Sequence, residues 1–307
     1  MNKVIVTGGA GFIGSNLVDK LIELNFEVIV FDDLSTGKKE NINSKAFFYE
    51  LNIYELVPES KKYKKFVNDF KDVKFFFHTA AKARVQPSID DPISFNKVNV
   101  DGTLNMLCLA RDLKVKRFIY SASSSAYGNA SVFPTPEDHP INPMSPYGLQ
   151  KYIGEEYCDV FNKVYGLDTV SLRYFNVYGE RMLLEGAYCL VIGIFAQQMI
   201  NNEPLTINND GNQRRDFTYV GDVVNANILA ANFKGKLNAE VFNIGNGKNF
   251  SVNELAKMFG GKFVYKNEVL EPYQTLADNS KARKILGWKL EGDLPTWIEK
   301  YKKIIGI

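Results

Sequence analysis

Over the first 176 residues, apolar positions fall into two alternating patterns. Short runs of four to eight residues, rich in β-branched and aromatic side chains, read as strands buried on both faces. They are KVIVTG (3–8), EVIVFDD (27–33), AFFYELN (46–52), KFFFHTAA (74–81), RFIYSASS (117–124) and DTVSLRYFN (168–176). Between them, FIGSNLVDKLIEL (12–24), NKVNVDGTLNMLCLARDL (96–113) and SPYGLQKYIGEEYCDVFNKVYG (145–166) carry apolar residues at helical spacing. This alternation predicts an α/β fold, a parallel doubly wound sheet with helices on both faces.

Beyond residue 177 the rhythm changes. NNEPLTINNDGNQRRDF (201–217) is polar and loop-rich, with a turn at its centre. EVFNIGNG (240–247) reads as a strand returning to the main sheet. The expected division is a dinucleotide-binding domain over 1–176, with the returning strand near 240–247. A smaller, partly discontinuous C-terminal lobe over 177–307 is left to bind substrate.

Composition narrows the classes without choosing among them. With 45% hydrophobic and 23% charged residues over 307 positions, the chain can bury a full core. The formal net charge of +2 argues against a nucleic-acid surface or an acidic tail. The basic run KKYKKF (61–66) therefore reads as a solvated helix face. Three scattered Cys suit a reducing cytoplasm, and no apolar run reaches membrane-spanning length. The chain opens directly on a strand instead of a signal peptide. Two His residues, His78 and His139, make a His-based metal site or a Ser-His-Asp triad unpromising, so no metal is expected.

Candidate chemistry begins at VTGGAGFIG, where Gly8, Gly11 and Gly14 follow a strand and open a helix. Glycine permits the tight turn and lets the backbone approach a pyrophosphate seated on the helix N-terminus. Asp32, at the end of the second strand, can accept both hydroxyls of a ribose and would repel a 2′-phosphate, which favours NAD over NADP. Its neighbour Asp33 is the less favoured acceptor. Tyr147 and Lys151 stand four apart behind Pro146 at a helix start, so both side chains can reach one point. A free phenol, with a pKa of about 10, is a poor base at neutral pH, and a nearby ammonium favours its ionised form. Ser123, at the carboxyl end of a strand, can orient a hydroxyl beside them.

TGGAGFIG, YGLQK and RYFNVYG, in order with HTAAKARV, NVDGT, SASSSAYG and RRDFTYVGD, resemble the extended short-chain dehydrogenases/reductases of the NAD-dependent epimerase/dehydratase family. Within it they look most like nucleotide-sugar 4-epimerases acting on UDP-glucose or UDP-N-acetylglucosamine. The resemblance covers essentially the whole chain and implies a Rossmann-type sheet, a resident NAD, a UDP-sugar substrate and a homodimer built on the helices at 96–113 and 145–166.

It also implies roles. Tyr147 would be the acid/base, with Lys151 and Ser123 as its partners. Phe12, Ile13, Ile53, Thr79, Ala80, Ala81 and Tyr174 would line the cofactor path, Lys82 would contact the pyrophosphate, and Asn99 would brace adjacent strand ends. Asn52 stands where relatives carry an acid facing adenine. Ser124, Ser125 and Ala126 precede YG where dehydratases and decarboxylases carry a carboxylate. That implies simple oxidation and re-reduction at one carbon, with Tyr147 taking the 4-hydroxyl proton as the C4 hydride moves to NAD⁺. Asn176 and Arg215 would hold the diphosphate, and Asn176 tilts the reading towards neutral sugars. Leu205 and Thr206 lie on the strand whose backbone reads uracil, and Glu271 would hold the nucleotide ribose. Thr275 would border the sugar's C2 substituent, its small size admitting an N-acetyl group. A second phosphate arginine is missing: Glu268 and Tyr273 stand near its place, with Lys266 as a possible substitute.

Overall fold

The computed structural model describes residues 2–184, 189–266 and 272–307. Its centre is a seven-stranded sheet. Six strands come from the first 174 residues: β1 (Lys3–Thr7), β2 (Glu27–Asp32), β3 (Phe47–Glu50), β4 (Val73–His78), β5 (Arg117–Ser123) and β6 (Thr169–Tyr174). Their order is β3-β2-β1-β4-β5-β6, every pairing is parallel, and the strand Glu240–Ile244 adds to the outer side of β6. The order reverses between β1 and β4, the switch point at which such sheets open a crevice.

The sequence runs read as continuous because alternate residues enter two separate cores. Val4, Val6, Phe75 and Phe77 face one core, with Leu17 and Val18 of the first helix (Phe12–Glu23). Ile5, Phe76, Phe118 and Tyr120 face the other. The first of these cores also takes in Val223, Ala226 and Ala230 of the helix Val220–Asn232, and Ala282 and Leu286 of the helix Ser280–Leu286. Much of the chain beyond 177 thus packs on the large sheet.

The remainder forms a lobe around Ile192, Phe195, Leu205, Ile207, Leu255, Phe259 and Ile298. Two small strand pairs brace it: Leu205–Ile207 with Phe263–Tyr265, and Arg214–Asp216 with Asn249–Ser251.

Two helices position the site. One helical run spans Pro92 to Asp112, starting four residues before the apolar pattern suggests. Asp91 caps it by accepting from the Ser94 N–H, and Pro92 fits its first turn. A wide turn, Lys97–Gly102, interrupts it where the chain passes the site. The second helix, Pro146–Tyr165, begins at Ser145, whose hydroxyl accepts from the Gly148 N–H at 3.1 Å, and ends at Gly166 with φ +69°. It lies close on β5, because a Cβ at Gly154 would stand 2.2 Å from the Tyr120 hydroxyl. Residues 61–69 form a helix, as the run KKYKKF suggests.

Candidate active site

A cleft of about 700 Å³ runs over the carboxyl ends of the strands, from the glycine turn to the C-terminal lobe. Its near end is backbone. Gly8 has φ +71° and donates its N–H to the Phe31 carbonyl at 2.7 Å. A Cβ on Gly14 would stand 2.0 Å from the Gly8 carbonyl oxygen, and one on Gly8 would stand 2.8 Å from the Ala80 backbone. No side chain fits either position. Gly11 caps the first helix without a side-chain bond, so the leading N–H groups face the cleft with Phe12, Ile13 and Gly14.

Asp32 accepts from the Ala10 N–H at 2.9 Å and the Leu34 N–H at 2.8 Å, and burial raises its pKa. Asp33 accepts from Ser35 and, at 3.0 Å, from the Asn52 amide. Both carboxylates line the cleft, as do Ile53, Thr79, Ala80, Ala81 and Lys82.

Several residues stand elsewhere than expected. Asn52 does not line the cleft: its nitrogen holds Asp33, and its oxygen accepts from the Tyr54 N–H. Asn99 is buried and clasps the Lys82 backbone through both amide atoms at 2.9 Å, with Gln150 of the second helix as a further partner. The Lys82 ammonium donates to the Ser94 hydroxyl at 2.8 Å and lies over the Phe95 ring. Tyr174 lines the cleft while its hydroxyl is bonded to Ser121 and Asn227. His78 packs at the end of β4 between Thr7 and Thr103, and burial holds its pKa down at about 3.

Across the cleft, Ser123 and Tyr147 meet. The Ser123 hydroxyl accepts from the Ser125 N–H at 3.2 Å and donates to the Ser125 hydroxyl at 3.0 Å, and it stands close enough to the Tyr147 phenol to lower its pKa. The Tyr147 N–H is anchored to Ser88 at 3.1 Å. Burial raises the phenol's pKa, while the Ser123 hydrogen bond and the charge of Arg84 lower it.

Lys151 is placed differently from the expectation that its ammonium sits on Tyr147. It lies 4.5 Å from the centroid of the Tyr120 ring. Burial lowers its pKa to about 8 against the opposing charge of Glu155, which a buried Arg173 grips with three hydrogen bonds of 2.7–3.1 Å. Among the described residues its Nζ has no hydrogen-bond or ion-pair partner. A glycine cradle that a Cβ would fill, an open helix N-terminus, an acidic strand end and a buried unpartnered ammonium together fit a bound dinucleotide.

The far end is formed by Asn176, Thr206, Arg215 and Thr275, with Ser124 and Ser125 between. Asn176 donates to the Asp216 carbonyl at 3.1 Å and to the Thr275 hydroxyl at 3.3 Å. Arg215 donates to the Arg214 carbonyl at 2.9 Å and lies against the Tyr273 carbonyl. Leu205 is buried in the lobe core and does not line the cleft, whereas Thr206 does. Lys266 is exposed beyond the strand Phe263–Tyr265 and lies outside the cleft lining. Glu268 and Glu271 lie outside the described residues.

Sequence reasoning passed over two arginines that line the cleft, Arg84 and Arg181. Arg181 pairs with Asp19 of the first helix at 2.6 Å. Its signal was the departure YGERM. That of Arg84 was its place two residues beyond Lys82. Among the described residues no cluster of ligating side chains is placed to hold a metal, and no helix is long and apolar enough to cross a membrane.

Comparison with known proteins adds three findings. The model of the NAD dependent epimerase/dehydratase family matches residues 4–245. A Methanocaldococcus jannaschii protein that carries the provisional name UDP-glucose 4-epimerase is 44% identical over 305 residues, covering 97% of this chain and 96% of its own. Among solved structures, UDP-glucose 4-epimerase of Thermotoga maritima with UDP-glucose superposes with a TM-score of 0.92 at 40% identity, covering 99% of each chain. UDP-N-acetylglucosamine 4-epimerase of Methanobrevibacter ruminantium, in complex with UDP-N-acetylmuramic acid, does so at 0.89 and 33%, covering 98% of this chain and 97% of its own.

Proposed function

We propose that the chain, which belongs to the NAD dependent epimerase/dehydratase family and is similar to UDP-sugar epimerases within it, inverts C4 of a UDP-hexose or UDP-N-acetylhexosamine through a transient 4-keto sugar. The observation that carries this reading is the Ser123–Tyr147 pair facing the glycine cradle across one cleft, with no carboxylate in the segment Ser124–Ala126 between them. An elimination or a decarboxylation needs a further acid or base there. A transfer of one hydrogen and one proton does not.

NAD, when bound, supplies the acceptor and later the donor of the C4 hydrogen. The glycine turn and the first helix would hold its pyrophosphate, Asp32 its adenosine ribose, and Lys151 its nicotinamide ribose. Tyr147 takes up the 4-hydroxyl proton at its phenol oxygen and returns it. Ser123 hydrogen-bonds the same hydroxyl and fixes its direction. Asn176 and Arg215 keep the diphosphate in place while the sugar presents its other face.

Thr275 sets what the sugar carries at C2, because a small residue there leaves room for an N-acetyl group. Incubated with UDP-glucose, UDP-N-acetylglucosamine and UDP-glucuronate, the NAD-loaded protein is expected to convert the first two, with products read by NMR. Thr275→Tyr should cut turnover of the N-acetyl sugar about 10–100-fold while sparing UDP-glucose. Conversion of none of the three would overturn the reading.

The protein is further proposed to act as a homodimer. The two helices beside the site expose apolar side chains, Ile93 on one and Leu149, Val160 and Val164 on the other, with Ile93 72% and Val164 65% exposed. Light scattering that gave the mass of a single chain would sink this assembly.

A further inference from the structure

Behind the cleft-lining segment Thr79–Lys82 runs a hydrogen-bond relay centred on His78. The Ala80 N–H donates to the Thr7 hydroxyl at 3.2 Å, and that hydroxyl lies 2.7 Å from His78 Nδ1. Across the imidazole, Nε2 lies 3.0 Å from the Thr103 hydroxyl, which donates to the Asn99 carbonyl at 2.7 Å. The Asn99 amide then clasps the Lys82 backbone, so the relay starts and ends on the same segment. Thr7, His78, Asn99 and Thr103 are all buried.

The directions of these bonds assign the protons. A carbonyl only accepts, so the single Thr103 proton goes to Asn99, and His78 Nε2 must be the donor to Thr103. The Thr7 oxygen receives the Ala80 N–H, and its own proton goes to a bare Nδ1. An imidazole protonated at Nδ1 would leave the Thr7 proton with no acceptor among the described residues. The rings of Phe118 and Tyr120, with centroids 5.7 and 5.9 Å away, fix the imidazole plane.

What this relay holds is one wall of the glycine cradle. A Cβ on Gly8 would stand 2.8 Å from the Ala80 backbone, and one on Gly14 would stand 2.9 Å from the Thr79 hydroxyl. The Thr79 hydroxyl also donates to the Thr7 carbonyl, at 2.5 Å, immediately before Gly8. Segment and turn are thus in direct contact, and an Ala80 N–H without its acceptor would let the wall shift.

We propose that His78 is a positioning residue for the cofactor: neutral and protonated at Nε2 alone, it aims the Thr7 hydroxyl and so pins Thr79–Lys82 against the glycine turn. This rests on the proposed function only through bound NAD, not through the sugar.

With two histidines in the chain, ¹⁵N NMR of the NAD-loaded protein reads the tautomer directly. His139 serves as reference, since its Nδ1 meets the Pro140 carbonyl at 2.8 Å and its Nε2 receives the Ser131 N–H, the opposite tautomer. The signals lost in His78→Asn should show a bare Nδ1 and a protonated Nε2 at neutral pH. A protonated Nδ1 would overturn the proposal.

Release of NAD on dialysis of the holoenzyme is the second readout. Thr7→Val, close in shape but without the hydroxyl, should release NAD about tenfold faster than wild type. Thr7→Ser, which keeps the hydroxyl, should hold it nearly as long. His78→Asn, whose amide oxygen can stand in for Nδ1, should release it more slowly than His78→Leu. A Thr7→Val protein that unfolds at lower urea yet keeps NAD as wild type does would make the relay a brace of the fold alone and overturn its positioning role. Equal release from the serine and valine variants, or from the two His78 variants, would overturn it too. If no UDP-sugar is turned over, the epimerase reading fails while both measurements still decide the role of His78.

Discussion

Tyr147→Phe should lower turnover of a UDP-sugar by about 10²–10⁴-fold, the usual share of a single acid/base group, without unfolding the protein. Phenylalanine keeps the half-buried ring that lines the cleft. It also keeps the backbone N–H that Ser88 accepts at 3.1 Å. What disappears is the phenol oxygen, beside Ser123, that can exchange a proton with the sugar. The glycine turn and Asp32 lie at the other end of the cleft, so the content of bound NAD should stay at the wild-type level. NMR of the products, with NAD released on denaturation as the control, measures both halves of this expectation. A phenylalanine variant with wild-type turnover would remove Tyr147 from the chemistry and leave the fold assignment untouched.

The parts of this site that were legible in the sequence are those fixed by backbone demands and by period. Gly8 and Gly14 could be read because a Cβ at either would collide with the Ala80 backbone or the Gly8 carbonyl. The strands could be read because Val4, Ile5 and Val6 alternate between two dry cores, which requires every position to be apolar. Tyr147 could be read because a capping Ser145 and Pro146 fix where its helix begins.

Side-chain direction was not legible. Spacing places Lys151 on the face of Tyr147, but burial and the Tyr120 ring decide where its ammonium rests. Asn52 carries an amide expected to face the cofactor, yet it holds Asp33 instead, whereas Asn99 braces the Lys82 backbone. An amide with four bonding positions finds the nearest partners, and those partners depend on loop geometry that no local pattern encodes. Arg84 was passed over for the same reason, since nothing in AAKARV announces a backbone at φ +90°.

The largest effect on stability is expected far from the chemistry, at Asp168→Ala. Arg117, at the start of β5, is fully buried, and Asp168 stands just before β6, so both lie at the amino ends of parallel strands, opposite the cleft. The guanidinium meets Asp168 through Nε at 2.7 Å and Nη2 at 2.6 Å. Its remaining donors reach the carbonyls of Ala230 at 2.5 Å and Gly235 at 2.6 Å. The other Asp168 oxygen accepts the N–H groups of Leu237 and Asn238 at 2.8 and 2.9 Å. One pair thus satisfies both strands and the loop that leads into Glu240–Ile244. Removing the carboxylate leaves a buried charge and two backbone donors unpaired, a loss of about 3–5 kcal/mol. Arg117→Met alone should also destabilise, by leaving the carboxylate. Combined with Asp168→Leu it should recover part of the loss, because an apolar pair carries no unpaired charge, although the loop N–H groups stay open. Urea midpoints of the four proteins measure this, and turnover per folded molecule should match wild type, since none of these groups lines the cleft. An Asp168→Ala protein with the wild-type midpoint would show the pair to be compensated by water or by relaxation of the 232–239 loop.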